Sequence, residues 1–157
     1  MNRLLIKNAS AIVTCDDRDS VWENTHILIC DGVITYIGTE LPQAEEIIDG
    51  SGYIVYPGLI NTHHHLYQTF SRNLPQVQNM ELFDWLKTLY EIWKNLDGDI
   101  IYQSSLTGMG ELLKSGCTTC FDHHYVFPGG VSKTLLESQF AAARALGVRM
   151  YASRGSM

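Results

Sequence analysis

The sequence predicts an α/β protein in which a small antiparallel β-sandwich-like unit precedes the first three βα units of a (β/α)8 TIM barrel, which is thus incomplete. Short β-like runs separated by turn residues fill positions 1–56, and strands alternate with helices after Pro57-Gly58. A closed barrel takes eight strands in roughly 250 residues, and only three parallel strands fit here. We expect two domains, a partial β-sandwich-like domain over 1–56 and the N-terminal part of a barrel domain over 57–157.

The N-terminal unit is predicted from five runs with β-like composition, which are "RLLIKNA", "AIVTC", "HILICDG", "VITYIGT" and "EEIIDGSGYIVY". Asp31-Gly32 lies between two of them and is a typical two-residue hairpin turn. The "DGSG" stretch at 49–52 is a second turn signal. These turns favour a small antiparallel sheet.

The barrel part is predicted from alternating periodicities. Apolar residues recur at helical spacing in "MELFDWLKTLYEIWKNL", and two more helices are expected over about 99–115 and 132–146. The three parallel strands are expected at 54–60, 117–122 and 148–152, with "YIVYPGLI" as a buried strand. The connection from Leu66 to Asn79 is long for a βα loop and is expected to cover the barrel mouth as a lid.

Composition and charge exclude several classes of function. The 157 residues are 45% hydrophobic and 18% charged, and no apolar stretch approaches a membrane span. The formal net charge of −6 and the lack of a basic cluster argue against a nucleic-acid partner. The first residues do not resemble a signal peptide, so we expect a cytoplasmic protein. Cys117 and Cys120 fit C-x-x-C, but positions three apart on a strand face opposite ways, which favours a structural role.

Three consecutive histidines in "NTHHHLYQTF" are the main chemical signal. Alternate residues at a strand end point the same way, so His63 and His65 are expected to converge while His64 faces elsewhere. Two convergent imidazoles at the C-terminal end of a barrel strand indicate half of a zinc or iron site. His123 and His124 follow the next strand and are candidates for a third ligand, for support behind the ligands, for substrate contact or for loop positions without a role.

The stretch "YPGLINTHHHLYQTFSRNLP" resembles the first-strand signature of the amidohydrolase superfamily, in its branch of cytosine, guanine and triazine deaminases and hydrolases. "ELLKSGCTTCFDHHYVFPGG" resembles the second strand of that branch, and "YASRGSM" the third-strand end of its 8-oxoguanine deaminase-like and hydroxyatrazine hydrolase-like members. The resemblance covers essentially the whole chain and implies a metal-dependent hydrolase of carbon–nitrogen bonds in cyclic amidines.

The resemblance implies roles for individual residues. His63 and His65 take the place of two ligands to one divalent metal, zinc in the first instance and iron as the alternative. Gln68 matches a glutamine that hydrogen-bonds the purine in guanine deaminase-like members. Trp85 and Arg154 are further substrate-binding candidates, against the alternatives of a core tryptophan and a surface arginine. His123 is expected behind the ligands or in the pocket.

The implied reaction is hydrolytic deamination, in which water attacks a ring carbon that bears an exocyclic amine and ammonia leaves. The family's remaining ligands and its acid–base groups are expected beyond Met157, so no catalytic residue is assigned in this chain. We expect an N-terminal portion of a deaminase of a free purine-type nucleobase such as 8-oxoguanine or guanine, as part of a homo-oligomer. The alternatives are an s-triazine amidohydrolase or chlorohydrolase and a non-catalytic truncated fragment.

Overall fold

The computed structural model describes residues 2–130 and 134–155, and the chain divides into two compact units, Met1–Pro57 and Gly58–Met157. The first unit is a five-stranded sheet. Its strands are β1 (Arg3–Val13), β2 (Val21–Cys30), β3 (Val33–Gly38), β4 (Glu46–Asp49) and β5 (Ile54–Val55).

This sheet is mixed, so the prediction of an antiparallel unit is only partly correct. Strands β1, β2 and β3 are antiparallel, but β4 and β5 both run parallel to β1. Strand β4 pairs with the stretch of β1 that begins at Leu4, and β5 pairs with Ala11 and Ile12 further along the same edge. The "DGSG" turn therefore connects two successive stretches of one edge and does not reverse the chain.

The predicted hairpin turn between β2 and β3 is present. Asp31 and Gly32 have φ angles of +49° and +83°. Two successive positive φ angles are the requirement of a type I′ hairpin turn, which explains the Asp-Gly pair. The small core of this unit is formed by Ala9, Ile12 and Ile27.

The second unit consists of a three-stranded parallel sheet with helices, and it confirms the predicted fold class. Its strands are β6 (Leu59–His64), β7 (Cys117–His124) and β8 (Arg149–Arg154), in the order β6-β7-β8. Its helices are α1 (Leu82–Trp93), α2 (Gly98–Lys114) and α3 (Leu135–Leu146). Among the described residues, no helix combines the length and apolar character that crossing a membrane requires.

The predicted strand at 54–60 is wrong as a single buried element. Residues Ile54–Val55 belong to the first sheet, and the barrel strand begins only at Leu59. The chain breaks between them because Pro57 has no N–H to donate to a ladder. Leu59 and Ile60 are 61% and 66% exposed, and within the described residues β6 pairs only with β7.

Two other boundaries differ from the predictions. Strand β7 continues two residues past 122, so His123 and His124 lie in the strand and not in the loop after it. Helix α3 begins at Leu135, while the start predicted at 132 lies outside the described residues.

The segment at 66–79, which is expected to form a lid, contacts the core through a few buried hydrophobic residues. It contains two 3-10 helices, Leu66–Ser71 and Pro75–Val77. Leu66, Tyr67 and Val77 are buried in it. Buried side chains anchor the segment, which therefore continues the hydrophobic core of the unit.

Helix α2 packs on the first 3-10 helix at a glycine. A Cβ atom added at Gly108 would lie 2.8 Å from Cδ2 of Leu66 and 3.1 Å from Oγ1 of Thr69. Both neighbours are themselves buried, so neither moves without cost. Gly108 thus brings α2 close to the segment that follows the histidines.

We predict opposite effects on the free energy of unfolding for two glycine substitutions in α2. Gly108→Ala should reduce the free energy of unfolding by about 1–3 kcal/mol, because the added methyl group overpacks the contact with Leu66. Gly110→Ala is the matched control, since a Cβ there meets nothing within 4 Å, and it should stabilise by about 0.5–1 kcal/mol through helix propensity. Urea unfolding followed by circular dichroism measures both. Equal effects of the two variants would contradict the close approach.

Candidate metal centre

The imidazoles of His63 and His65 converge at the C-terminal end of β6. Their Nε2 atoms are 3.1 Å apart, and the ring planes are perpendicular with centroids 4.9 Å apart. The convergence follows from the two-residue period of the strand, which places positions 63 and 65 on one side. Two nitrogens each about 2.0–2.1 Å from one zinc ion at a tetrahedral angle are about 3.3 Å apart. The observed separation therefore suits a shared ion.

A hydrogen bond at Nδ1 of His65 determines that Nε2 of this ring faces His63. Nδ1 of His65 lies 2.7 Å from the carbonyl oxygen of His123. A carbonyl only accepts, so Nδ1–H of His65 donates to it, and the neutral ring has its lone pair on Nε2. A hydrogen bond of this kind behind a ligating histidine sets its tautomer and its orientation.

No third side chain completes the pair within the described part of the chain, where no group of three or more His, Cys, Asp or Glu residues is placed to hold a metal. Nδ1 of His123 is 2.6 Å from Oγ of Ser153. His124 is fully buried, and its Nε2–H donates to the carbonyl of Val126 at 2.8 Å. The ring nitrogens of His124 are thus engaged inside the protein.

The side chain of Gln68 is held by two tyrosines. Its Nε2 donates to the hydroxyl oxygens of Tyr67 at 3.1 Å and Tyr125 at 3.0 Å. Burial raises the pKa of Tyr67 above its ordinary value, so this hydroxyl is protonated. Because both N–H bonds of the amide are used, Oε1 is the atom that Gln68 has left for a ligand, and it accepts hydrogen bonds.

Gln68 lies beside the histidine pair. A cavity of about 230 Å³ is lined by His63, His64, His65, Gln68, Thr69 and Arg72. Trp85 does not line it, but lines an adjoining cavity together with Gln68. The ring of Trp85 also packs on Trp93, with centroids 5.5 Å apart, so this residue belongs to the core and to the wall of a cavity.

Arg154 lies at the end of β8 and is exposed. Its guanidinium carbon is 4.5 Å from the centre of the Phe127 ring, in a cation–π arrangement. Among the residues that line the cavity at the histidine pair, Arg154 is not present. The structure thus places Gln68 in the cavity at the histidine pair, whereas the other two substrate-binding candidates do not line this cavity.

The family model for the amidohydrolase family matches residues 54–157, which include the histidine pair and all of the parallel sheet. The chain belongs to the amidohydrolase family. The resemblance noted in its motifs is confirmed by this match.

Relatives of this amidohydrolase chain act on different small molecules. A hydroxydechloroatrazine ethylaminohydrolase from Pseudomonas sp. (strain ADP) is 38% identical over 99% of the chain, and an 8-oxoguanine deaminase from Pseudomonas aeruginosa is 39% identical over 100% of it. The crystal structure of the atrazine chlorohydrolase from Arthrobacter aurescens TC1 complexed with zinc matches 96% of the chain, with a TM-score of 0.89 and 31% identity. The chain spans 35% of the length of each of these three proteins.

Three residues that contact the surroundings of the histidine pair and Gln68 were not predicted from sequence. Asp122 is fully buried and accepts a hydrogen bond from the backbone N–H of Leu66 at 2.6 Å. Gln139, also fully buried, donates to the other oxygen of this carboxylate at 2.8 Å. Tyr125 holds Gln68. A usable signal existed for Gln139, because a polar residue on the apolar face of a predicted helix indicates a buried hydrogen-bond network.

Proposed function

We propose that this chain supplies the metal-binding histidine pair and part of the substrate pocket of an amidohydrolase that deaminates a free purine-type nucleobase such as 8-oxoguanine or guanine. The observation that carries the proposal is the 3.1 Å separation of the Nε2 atoms of His63 and His65. The donor set of two neutral imidazoles suits zinc, and it also suits iron.

When bound, a divalent metal supplies Lewis-acid activation of water. His65 contributes a correctly directed lone pair, since its Nδ1–H is committed to the carbonyl of His123. In the net reaction a C–O bond forms at the ring carbon, the exocyclic C–N bond breaks, and the amine leaves as ammonia. This chain's residues bind and orient in that reaction; we assign none of them the proton transfers.

Gln68 is compatible with this substrate class. Its free Oε1 accepts hydrogen bonds, so it matches an N–H on the edge of the ligand. Ring N–H groups and amines of oxidised purines offer this donor. The 39% identity to the 8-oxoguanine deaminase supports the same choice.

An s-triazine is the second candidate substrate. The 38% identical hydroxydechloroatrazine ethylaminohydrolase favours it, and an alkylamine N–H of a triazine also provides a donor for Gln68. A triazine aminohydrolase would release an amine from a C–N bond as the purine deaminase does, whereas a triazine chlorohydrolase would break a C–Cl bond.

A substrate panel tests the proposal. The zinc-loaded protein is assayed for amine release from 8-oxoguanine, guanine, cytosine and hydroxyatrazine. We expect the highest kcat/KM for a purine, with a difference of at least about 10-fold over hydroxyatrazine, which corresponds to about 1.4 kcal/mol of preferential transition-state binding. The reverse order would favour the triazine function. Stoichiometric zinc without turnover on any of the four would favour the non-catalytic alternative.

A further inference from the structure

We propose that Asp122 and Gln139 are positioning residues for the His63–His65 pair, in which a buried carboxylate held by a buried amide fixes the turn after His65 and so the direction of its ring. This inference rests on the proposed metal-binding role of the two histidines. The two positioning residues come from β7 and α3, and neither contacts the cavity at the histidine pair.

The carboxylate of Asp122 holds the main chain immediately after His65. The chain leaves strand conformation at His65 and enters the 3-10 helix at Leu66. The backbone N–H of Leu66 donates to Oδ1 of Asp122 at 2.6 Å. The first N–H groups of a helix have no partner inside the helix, and an ionised acceptor makes a strong bond to them.

The next residue of β7 holds the side chain of His65. The carbonyl of His123 accepts the hydrogen bond from Nδ1–H of His65 at 2.7 Å. Asp122 and His123, which are consecutive in β7, therefore bind Leu66 and His65, which are consecutive after β6. Asp122 does so through its side chain, and His123 through its main-chain carbonyl. Fixing the peptide between residues 65 and 66 fixes the direction of the Cα–Cβ bond of His65, and the carbonyl then fixes the rotation of its ring.

Gln139 holds the carboxylate in turn. Its Nε2 donates to Oδ2 of Asp122 at 2.8 Å and approaches Nδ1 of His124 at 3.4 Å. Nε2 of His124 carries the proton, because it donates to a carbonyl, so Nδ1 of that ring is an acceptor. With acceptors on both sides, only one orientation of the Gln139 amide is compatible with the network.

Folding stability alone does not explain this arrangement, because burying these polar groups costs free energy. A buried carboxylate loses its hydration, and Oε1 of Gln139 is buried without a hydrogen-bond partner within the described residues. Apolar side chains of similar volume would avoid both costs. Buried polar networks instead fix one geometry, which is what a metal ligand requires.

Two variants and one control test the proposal. Asp122→Asn replaces one acceptor oxygen by an NH2 group, so the side chain can no longer accept from both Leu66 and Gln139. Gln139→Met removes the donor at similar volume. Gln103→Met is the matched control, because it makes the same change at an exposed position of α2.

Nitrogen-15 NMR of the His65 ring, hydrogen exchange of the Leu66 amide, and zinc affinity are measured for each protein. We expect both variants to weaken zinc binding about 10- to 100-fold, to speed exchange at Leu66 and to shift the Nδ1 and Nε2 resonances of His65, with all three unchanged in the control. A purely structural role predicts a lower urea midpoint with an unchanged His65 signal and zinc affinity, and this result would overturn the proposal. If Asp122→Asn does not fold, Gln139→Met carries the test.

The metal role of the histidines and the positioning role of Asp122 and Gln139 are refuted by different results. A wild-type protein that binds no zinc would refute the metal role of the histidines, whereas the NMR and exchange measurements on the metal-free protein would still decide whether Asp122 and Gln139 hold His65. Wild-type zinc binding with no response in either variant would refute the positioning role alone.

Discussion

His65→Ala is expected to weaken zinc binding by more than about 100-fold, because removal of a direct ligand costs more than the 10- to 100-fold typical of a residue that only supports one. The same loss is expected for His63→Ala, since the Nε2 atoms of the two rings face each other at 3.1 Å, as two ligands of one ion would. Isothermal titration with zinc, or competition with a chromophoric chelator, measures the affinity.

A shared site also predicts that the losses of zinc affinity in the two single variants do not add. If the two rings act as one site, the double variant should bind zinc about as weakly as either single variant. His26→Ala is the control for nonspecific imidazole binding, because His26 lies in the first unit and its Nδ1 accepts a hydrogen bond from the backbone of Asn8. Unchanged affinity in His65→Ala, or an equal loss in His26→Ala, would contradict a metal site at the histidine pair.

The convergence of the histidines was predictable because it depends on local geometry. Residues two apart on a strand share a side, whatever the rest of the fold. The alternation of helices and strands after Gly58 was predictable for a similar reason, since helical and strand periodicities differ within a single window of sequence. These local signals are sufficient for the parallel sheet and for the pair of imidazoles.

The surroundings of the pair depend on contacts between distant segments. Asp122 and Leu66 are separated by 56 positions, and Gln68 and Tyr125 by 57. No periodicity links such residues. The error at 54–60 has this origin in part, because Pro57 interrupts the run locally, while Ile54 and Val55 are placed by pairing with β1.

The structure also shows which hydrogen-bonding group of the Gln68 amide remains available. The sequence identifies Gln68 as a residue with both a donor and an acceptor. The hydroxyls of Tyr67 and Tyr125 take the two N–H bonds, so Gln68 presents an acceptor to the pocket. Whether an amide presents its donor or its acceptor depends on its hydrogen-bond partners, and its position in the chain does not reveal them.

Trp93→Ala is expected to reduce the free energy of unfolding by about 3–5 kcal/mol, as is typical when a large buried aromatic residue is truncated. Trp93 is 1% exposed, and its Nε1–H donates to Oγ of Ser71 at 3.1 Å. Its ring packs on Tyr67, Trp85 and Tyr90 with centroid distances of 5.2, 5.5 and 5.6 Å. Denaturant unfolding followed by circular dichroism measures the loss.

The neighbouring position provides the control. Ile92 is 41% exposed, so Ile92→Ala should cost no more than about 1 kcal/mol by the same measurement. Trp93→Phe keeps most of the apolar surface and loses the hydrogen bond to Ser71, for which we expect an intermediate cost of about 1–2 kcal/mol. A loss in Trp93→Ala no larger than that of Ile92→Ala would show that the aromatic cluster does not hold this unit together.

The aromatic core also reaches the pocket, which links stability to binding. Trp93 supports the ring of Tyr67, and the hydroxyl of Tyr67 holds the amide of Gln68. In Trp93→Phe, which we expect to retain the fold, a looser Tyr67 should allow Gln68 to rotate and weaken the hydrogen bond that we propose Gln68 makes to the ligand. We therefore expect a rise in KM with little change in kcat, because the histidine pair and the bonds from β7 that direct His65 do not involve Trp93.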